Sequence, residues 1–312
     1  MGIGEFNLIH ACFAGQGGAP AAGTRVGIGD DASVHRLEKG MELVISTDSS
    51  IESIHWPHDF PLSKAADRAV CAALSDLAAM GAAPMNVWLN VMARDSRSVS
   101  EMAEGATAAL QRYNIELAGG DTCHAPVNGL SVTVAGQVPM GTSMLRSEAN
   151  EGDAVWVVGK VGFHSLGLQQ WMGGKKAGYF VHYLDEIKPK LEAGIRLREL
   201  GVRCCIDISD GLLQDAGHIA DASRIAMDID MALLPGWDIL CEKAGEKHAI
   251  RAAATGGEDY ALLLTAPESM RFLEGFAVRI GSCSIGSGIA LRVQDRPIDV
   301  QEIGARGYDH FA

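Results

Sequence analysis

The chain has 312 residues, enough for two domains of ordinary size, and its 47% hydrophobic and 21% charged residues exclude a largely disordered protein. With 39 acidic and 26 basic residues, it carries a formal net charge of −13 at pH 7. A field of this sign repels nucleic acid and anionic membranes, and it also repels phosphorylated small molecules unless cations intervene.

The cysteines and the N-terminal residues predict a cytoplasmic location. Seven cysteines are scattered along the chain without a C-x-x-C pair, which is typical of reduced, buried thiols. The first residues lack the basic and apolar regions of a signal peptide, and no apolar run approaches the roughly 20 residues that span a bilayer. We therefore expect neither a membrane nor a nucleic acid among the partners.

Short apolar segments of strand type alternate with longer helical patterns, which predicts an α/β or α+β fold. In the first half we expect a helix over 62–80 that ends at Gly81, since Pro84 forbids its continuation. A second helix is expected to open at Ser98, which forms an S-x-x-E capping box with Glu101. The strands predicted in this half cover residues 43–45, 87–91 and 132–138.

A polar, turn-rich segment over 141–153 predicts a domain boundary, with one domain over residues 1–140 and another over 141–312. The second half repeats the alternation of helices and strands. We expect strands over 203–208, 225–229 and 260–264, and helices over 190–200, over 210–222 and up to Gly256.

The most informative pattern is a set of acidic residues that adjoin apolar segments and are flanked by glycine, serine or threonine. Carboxylates are rarely buried unless they are paired or hold a metal ion. Oxygen ligands at strand ends, with small neighbours, suit Mg²⁺ that keeps some waters and bridges phosphates, and such ions would also offset the charge repulsion. The set comprises Asp30, Asp31, Asp48, Asp76, Asp121, Asp207, Asp210, Glu258 and Asp259.

Asp76 is the most telling member of this set. It lies late in a helical pattern, where the helix dipole disfavours a negative charge by about 0.3–1 kcal/mol, and no Lys or Arg lies within one turn. Taken alone, each of the other sites also fits a turn or a helix cap. Their number, with few basic residues beside them, favours metal binding.

Glycine pairs beside these acids would let backbone N–H groups approach phosphate oxygens, and Ser209-Asp210-Gly211 is interpreted as a helix start that could offer N–H groups to an anion. The chain contains no G-x-x-x-x-G-K-[ST] loop and no protein-kinase signature set, which excludes the two commonest ATP-binding devices. It also lacks the H-E-x-x-H and G-x-S-x-G motifs of metalloproteases and α/β-hydrolases.

In their order along the chain, these blocks resemble the thiamine-monophosphate kinase family, which shares a superfamily with aminoimidazole ribonucleotide synthetase. The resemblance extends over essentially the whole chain, and its most specific parts are the block around Asp76 and the C-terminal Gly-Tyr-Asp-His-Phe. The matching blocks are Gly2–Phe6, Gly27–Ala32, Ile45–Asp48 with His55, Leu74–Ala82, Gly119–Thr122, Arg146–Ser147, Asp207–Leu212, Gly256–Tyr260 and Gly307–Phe311.

The resemblance implies a two-domain fold like that of aminoimidazole ribonucleotide synthetase. Its N-terminal α/β domain dimerises through its strands, its C-terminal domain is also α/β, and ATP and several Mg²⁺ ions lie in the cleft between them. The implied reaction is direct in-line transfer of the ATP γ-phosphoryl group to thiamine monophosphate, giving thiamine diphosphate. We therefore expect a cytoplasmic homodimer whose partners are ATP and thiamine monophosphate.

The same resemblance implies roles for individual residues. The expected Mg²⁺ ligands, with a hydroxyl or main-chain carbonyl serving at Ser46 or Thr47, are Asp31, Ser46, Thr47, Asp48, Asp76, Asp121, Asp207 and Asp210. The expected contacts to ATP are Tyr113, Gly120, Asp121, Arg146 and Ser209. The expected contacts to thiamine monophosphate are His55, Glu258 and Tyr308. The residues expected to act directly in catalysis are Asp121, Arg146 and Asp210.

Two other interpretations stay open. The first is another ATP-using member of the superfamily, although a selenophosphate synthetase should carry a Cys followed by Gly and Lys, whereas Phe13 follows Cys12 here. The second is a non-enzymatic protein that binds Mg²⁺ and nucleotide, which should lack one of the acidic positions, yet none is missing.

The sequence departs from the family pattern near His55. The residues over 49–53 are more polar than the family pattern, and Trp56 stands where a Phe is expected.

Overall fold

The structure, a computed structural model, describes residues 5–28, 32–185, 187–270, 273, 275–303 and 307, without the side chains of residues 5, 6 and 302. It divides into two compact units. Unit 1 comprises Met1–Leu77 and Ala82–Gly141, and unit 2 comprises Ala78–Gly81 and Thr142–Ala312. The expected assignment of functions to domains over 1–140 and 141–312 stays a prediction.

The elements from α1 to β6 belong to the first part of the chain. They are α1 (Glu5–Cys12), β1 (Thr24–Val26), β2 (Val34–His35), β3 (Met41–Ile51), α2 (Leu62–Ala79), β4 (Ala83–Ala93), α3 (Ser96–Arg112), β5 (Glu116–His124) and β6 (Gly129–Pro139).

The elements from β7 to α9 belong to unit 2. They are β7 (Asp153–Val158), α4 (Phe163–Met172), α5 (Leu191–Glu199), β8 (Cys204–Ile208), α6 (Leu212–Ser223), β9 (Ile225–Asp230), α7 (Trp237–Ala244), α8 (Glu246–Thr255), β10 (Ala261–Pro267), β11 (Val278–Ile285), β12 (Gly288–Val293), β13 (Arg296–Ile298) and α9 (Val300–Ile303), with 3₁₀ helices at Val181–Leu184 and Met231–Leu233.

Unit 1 contains a four-stranded sheet in the order β3-β6-β4-β5. β3 and β6 pair antiparallel over their whole length, and β4 and β5 pair parallel. One face of α2 consists of small apolar residues and is buried. The residues of this face, which are almost fully excluded from water, are Ala65, Ala69, Ala73 and Leu77. The helix ends at Ala79, and Gly81 adopts a left-handed φ of 68°, as predicted.

Unit 2 contains a seven-stranded sheet in the order β13-β12-β9-β11-β7-β10-β8, in which only the β9–β12 pairing is parallel among the described strands. Its core joins residues of β7, β8 and β10 to residues of α4 and α6, including Val155, Ile206, Leu263, Phe163 and Ile219. β7 and β8 are buried along their whole length, and their residues are apolar apart from Asp153 and Asp207. The predicted mixture of helices and strands is confirmed.

Two local predictions are wrong. α3 begins at Ser96 rather than Ser98, because the Asp95 carboxylate accepts the backbone N–H of Ser98 at 2.7 Å and acts as the N-cap. Asp48 and Asp121 lie inside strands rather than at strand ends. β3 continues to Ile51 because its partner β6 pairs with it throughout, and β5 was missed because Gly-Gly-Asp is unfavourable in strands.

None of the described helices is both long and apolar enough to cross a bilayer.

The close packing of α3 in unit 1 can be tested by substituting one glycine in α3 and, as a control, one glycine in α6. A Cβ at Gly105 of α3 would lie 1.8 Å from the carbonyl oxygen of Ser63, whereas a Cβ at Gly217 of α6 would meet nothing within 4 Å. We expect Gly105→Ala to lower the free energy of unfolding by about 1–3 kcal/mol because α3 must shift. We expect Gly217→Ala to raise it by up to about 1 kcal/mol through helix propensity. Thermal and urea unfolding of both variants measure this difference, and equal effects would contradict it.

Candidate active site

The Asp76 carboxylate in α2 accepts a hydrogen bond from a strand. The hydroxyl of Ser46 in β3 donates to Asp76 Oδ2 at 2.5 Å. A charge-assisted hydrogen bond of this kind stabilises an ionised carboxylate late in a helix, where the dipole disfavours it. The structure therefore brings together two of the expected metal ligands.

Alternation along β3 decides which of its side chains share a face with this contact. Asp48 is two residues beyond Ser46 and lies on the same face, and its Oδ1 also accepts the N–H of Ser49 at 2.8 Å. The side chain of Thr47 lies on the other face, where its hydroxyl is 2.9 Å from that of Thr133 in β6. Thr47 can therefore reach the sheet face that contacts Asp76 only through its main chain.

Asp121 lies in the edge strand β5 and on the sheet face away from α2. It pairs across the ladder with Asn90 of β4, and the same row continues through Ser131 of β6 to Ser49 of β3. The carboxylate is exposed, and its Oδ1 accepts the N–H of Thr122 at 2.8 Å. Asp121 and the Ser46–Asp76 contact are thus separate features of unit 1.

A pocket of about 440 Å³ adjoins β5 in unit 1. Trp88 lies in its wall, and the indole N–H donates to the hydroxyl of Ser33 at 2.8 Å. The residues that line the pocket are Ile9, Phe13, Gly27, Ile28, Ala32, Ser33, Trp88, Leu89, Asn90, Leu117, Ala118, Gly119, Gly120, Asp121 and Thr122. Two expected ATP contacts, Gly120 and Asp121, therefore lie in one cavity.

Gly119 and Gly120 of this pocket have no room for a side chain. A Cβ at Gly119 would lie 2.8 Å from the ring of Trp88, and one at Gly120 would lie 2.0 Å from the carbonyl oxygen of Leu89. Gly120 also has a φ of 146°, which an L-residue rarely adopts. The Gly-Gly pair is therefore required by the close approach of β4 and β5, and it leaves this part of the pocket wall without side chains.

His55 and Tyr113 are two further predicted contact residues of unit 1. The backbone N–H of Ile51 donates to Nδ1 of His55 at 2.9 Å, and the N–H of His55 returns to the carbonyl of Ile51 at 2.9 Å. Tyr113 is the half-buried C-cap of α3, with the guanidinium of Arg112 5.1 Å from its ring centre. Neither residue lines the pocket beside β5.

The end of β8 and the loop that follows it carry three predicted residues of unit 2. Asp207 is buried within β8, and Asp210 follows the strand and accepts from the amide of Gln214 at 3.1 Å. The N–H groups of Ser209, Asp210 and Gly211 all donate to Oδ2 of Asp215, at 3.0, 3.1 and 3.2 Å. The chain's own Asp215 thus takes the place of the external anion, so the interpretation of these N–H groups as a phosphate site is wrong.

Asp215 was not singled out from the sequence, although an acid in the first turn of a helix is a recognisable N-terminal signal. Burial raises the pKa of its carboxyl to about 7, and the charge of Asp210 acts in the same direction, while the three N–H donors act against them. The donors hold the shape of the loop because each would otherwise be left without an acceptor.

Glu258 is brought against the same loop. Its N–H donates to the carbonyl of Ser209 at 2.8 Å, and a Cβ at Gly257 would lie 2.4 Å from that oxygen, so only glycine permits the approach. Glu258 and Tyr260 have φ values of 73° and 49°, unusual for residues with side chains. The hydroxyl of Tyr260 donates to Oε1 of Glu258 at 3.2 Å.

Asp259 anchors this strained segment to α4. Its buried carboxylate accepts the N–H groups of Gly162 at 2.5 Å and His164 at 3.1 Å, and Nδ1 of His164 lies 3.2 Å away. The anchor explains why the Glu258 backbone is held in its left-handed conformation.

Arg146, another predicted site residue of unit 2, has an exposed side chain, and its carbonyl accepts from the hydroxyl of Ser223 at 2.8 Å.

Two predicted site residues, Asp31 and Tyr308, lie outside the described residues. Within the described part of the chain, no three His, Cys, Asp or Glu side chains form a cluster that could hold a metal ion. The expected set of Mg²⁺ ligands therefore stays a prediction, supported locally by the contact of Ser46 with Asp76.

Comparison with known proteins decides the family. Residues 29–138 match the model for the N-terminal domain of AIR synthase related proteins, and residues 150–286 match the model for the C-terminal domain. The thiamine-monophosphate kinase of Escherichia coli K12 is 33% identical, with 100% of this chain and 99% of that protein covered. The chain belongs to the thiamine-monophosphate kinase family.

Solved structures agree with this assignment. The thiamine-monophosphate kinase of Stenotrophomonas maltophilia K279a is 32% identical and superposes with a TM-score of 0.79, covering 86% of this chain and 91% of that one. AaThiL, solved in complex with AMPPCP and TMP, is 25% identical with a TM-score of 0.77, covering 99% and 97%. The expected family, the two-domain α/β fold and the phosphotransferase class are confirmed.

The role of Asp215 can be tested against a second aspartate of the same helix. Asp215→Ala leaves three backbone N–H groups without their acceptor, so we expect a loss of about 1–3 kcal/mol in the free energy of unfolding. Asp221→Ala changes an exposed residue of α6 and should stay within about 0.5 kcal/mol. Urea unfolding measures both, and an Asp215→Ala variant as stable as Asp221→Ala would count against the anchoring role.

Proposed function

We propose that this chain transfers the γ-phosphoryl group of ATP to the phosphate of thiamine monophosphate, giving thiamine diphosphate and ADP. The observation that carries the proposal is the 33% identity to a thiamine-monophosphate kinase over the whole of this chain. AaThiL, a structural neighbour solved in complex with AMPPCP and TMP, supports the same pair of substrates.

The proposed chemistry is a direct in-line transfer. A phosphate oxygen of thiamine monophosphate forms the new P–O bond to the γ-phosphorus, while the bond from that phosphorus to the β,γ-bridging oxygen breaks and ADP leaves. The attacking oxygen is already anionic, so no strong general base is required. Catalysis then consists of positioning two polyanions and balancing their charge.

The donor chemistry in both units fits Mg²⁺. Ser46, Asp48 and Asp76 present hydroxyl and carboxylate oxygens on one face of unit 1, which are the ligands that Mg²⁺ prefers. We propose that these residues, the main chain of Thr47, Asp31 and Asp121 hold Mg²⁺, as do Asp207 and Asp210 in unit 2. When bound, Mg²⁺ would neutralise part of the phosphate charge.

Within unit 1, we propose that the pocket beside β5 receives part of the nucleotide. Its wall at Gly119 and Gly120 lacks side chains, which permits a ligand to approach the backbone closely. Asp121 lies in the same wall and is proposed to act in catalysis as a metal ligand. Tyr113 and His55 are proposed to contact the nucleotide and thiamine monophosphate, respectively.

Within unit 2, Arg146 has an exposed guanidinium that is proposed to stabilise charge on the transferred phosphoryl group. Ser209 is proposed to bind ATP through its hydroxyl, because its N–H already donates to Asp215. Asp210 is proposed to act as a catalytic metal ligand. Glu258 and Tyr308 are proposed to contact thiamine monophosphate.

We also propose a cytoplasmic homodimer that forms through the strands of unit 1. Leu43 and Ile45 are 48% and 58% exposed on the sheet face away from α2, where a partner strand surface would cover them. A molecular mass of one chain in light scattering would contradict this part of the proposal.

The proposed reaction has a direct test with the purified chain. We expect thiamine diphosphate to form, and ATP to be consumed, only when ATP, thiamine monophosphate and Mg²⁺ are all present. Without the metal ion, the acidic protein would repel the phosphates of both substrates. Chromatography of thiamine diphosphate measures the product, and an excess of EDTA removes the metal. ATP consumption without thiamine diphosphate would instead favour another ATP-using reaction of the superfamily.

The role of Asp121 can be tested by a change that preserves shape. Asp121→Asn removes the charge of a proposed metal ligand in an exposed position, so we expect turnover to fall by about 100-fold or more while the unfolding midpoint stays unchanged. Asp295→Asn makes the same chemical change in an exposed turn of unit 2 and should leave turnover unaltered. Near-normal turnover in Asp121→Asn would remove the assignment.

A further inference from the structure

Glu52 is a buried carboxylate of unit 1 that the proposed reaction does not use. It follows β3 directly, and only 4% of its surface is exposed. A buried carboxylate destabilises the fold unless donors and a counter-charge surround it. Its partners come from three different segments of unit 1, so the residue joins parts of the chain that are distant in sequence.

The main partners are Arg94, directly after β4, and Asn128, directly before β6. The guanidinium of Arg94 lies 2.9 Å from Oε2 of Glu52, and the N–H of Asn128 donates to the same oxygen at 3.2 Å. The N–H of Glu52 donates to the carbonyl of Asn128 at 3.0 Å, and the N–H of Arg94 donates to Oδ1 of Asn128 at 3.2 Å. These contacts close a ring around the carboxylate.

The ring favours the ionised carboxylate. Burial alone raises the pKa of Glu52, but the N–H of Asn128, the contact with His58 and the charge of Arg94 outweigh it and hold the pKa below its usual value. His58 contacts Oε1 of Glu52, so both carboxylate oxygens are occupied. A neutral side chain of the same size would leave Arg94 without its counter-charge.

The segment fixed in this way is the one that presents His55. The N–H of Ile51 donates to Nδ1 of His55, so Nδ1 is an acceptor and the neutral ring carries its proton on Nε2. The N–H of Ser53 donates to the carbonyl of Trp56 at 2.7 Å, and Ser53 has a φ of 66°. The Glu52 ring therefore lies inside the turn that sets both the position and the tautomer of His55.

We propose that Glu52 is a positioning residue for thiamine monophosphate, which acts by holding the residue 51–56 turn that carries His55, the proposed substrate contact. The inference rests on the proposed function for the identity of the substrate. A purely structural Glu52 would contribute to folding alone, whereas a positioning residue affects the binding of one substrate and leaves the binding of the other unchanged.

The first test compares Glu52→Gln with Glu101→Gln. In Glu52→Gln we expect KM for thiamine monophosphate to rise about tenfold or more, with KM for ATP within about twofold of the wild type. Glu101 forms an exposed pair with Arg97 on α3, so Glu101→Gln makes the same change and should alter neither constant. Equal increases in both KM values, or an unchanged KM for thiamine monophosphate, would overturn the proposal.

A second variant keeps the test decisive if Glu52→Gln does not fold. Arg94→Lys keeps the positive charge but loses the planar fork that reaches both Glu52 and the carbonyl of Pro126, where Nε donates at 3.0 Å. We expect a smaller rise, of about threefold, confined to KM for thiamine monophosphate. No rise, or an equal rise for ATP, would also overturn the proposal.

A measurement without substrate separates this inference from the proposed function. In long-range ¹H–¹⁵N spectra of the wild type we expect the neutral His55 ring to carry its proton on Nε2, and in Glu52→Gln we expect a mixture of tautomers. A wild-type ring protonated on Nδ1, or identical spectra in both proteins, would overturn the positioning role. If the wild type forms no thiamine diphosphate, the proposed function fails, and these spectra still decide the role of Glu52.

Discussion

Hydrogen-bond donors that carry no charge hold most of the carboxylates of the candidate site in place. Asp76 accepts from the hydroxyl of Ser46, Asp215 accepts from three consecutive backbone N–H groups, and Asp259 accepts from the N-terminal turn of α4. Each of these donors fixes the geometry of its carboxylate and adds no positive charge to it. The proposed Mg²⁺ ions would supply the positive charge that phosphorylated substrates require beside an acidic protein surface.

Glu52 differs from these carboxylates, since the positively charged guanidinium of Arg94 contacts it directly. Asp48 is proposed to bind a cation and must stay ionised and accessible, whereas Glu52 joins segments of the chain and is paired within the protein. Only three residues separate Asp48 from Glu52, and the two carboxylates are proposed to have different roles.

The sequence alone predicted the elements whose signals are local. The α2 helix followed from its spacing of small apolar residues, and Asp76 stood out because its position in that helix is unfavourable. The N-cap of α3 and the strand around Asp121 were not predicted, because Asp95 and Ser98 both fit a cap and Gly-Gly-Asp resembles a turn. The roles of Asp215 and Glu52 depend on partners brought together by the tertiary fold, which no local pattern encodes.

The left-handed backbone of Glu258 bears on how this enzyme can be engineered. A non-glycine residue in this conformation destabilises the native state by about 1–3 kcal/mol, so glycine at this position would relieve strain and remove the carboxylate proposed to meet the substrate. Selection for heat resistance alone would therefore favour loss of the proposed substrate contact at this position. Libraries for thermostable forms of this enzyme should keep position 258 fixed and seek their gains elsewhere.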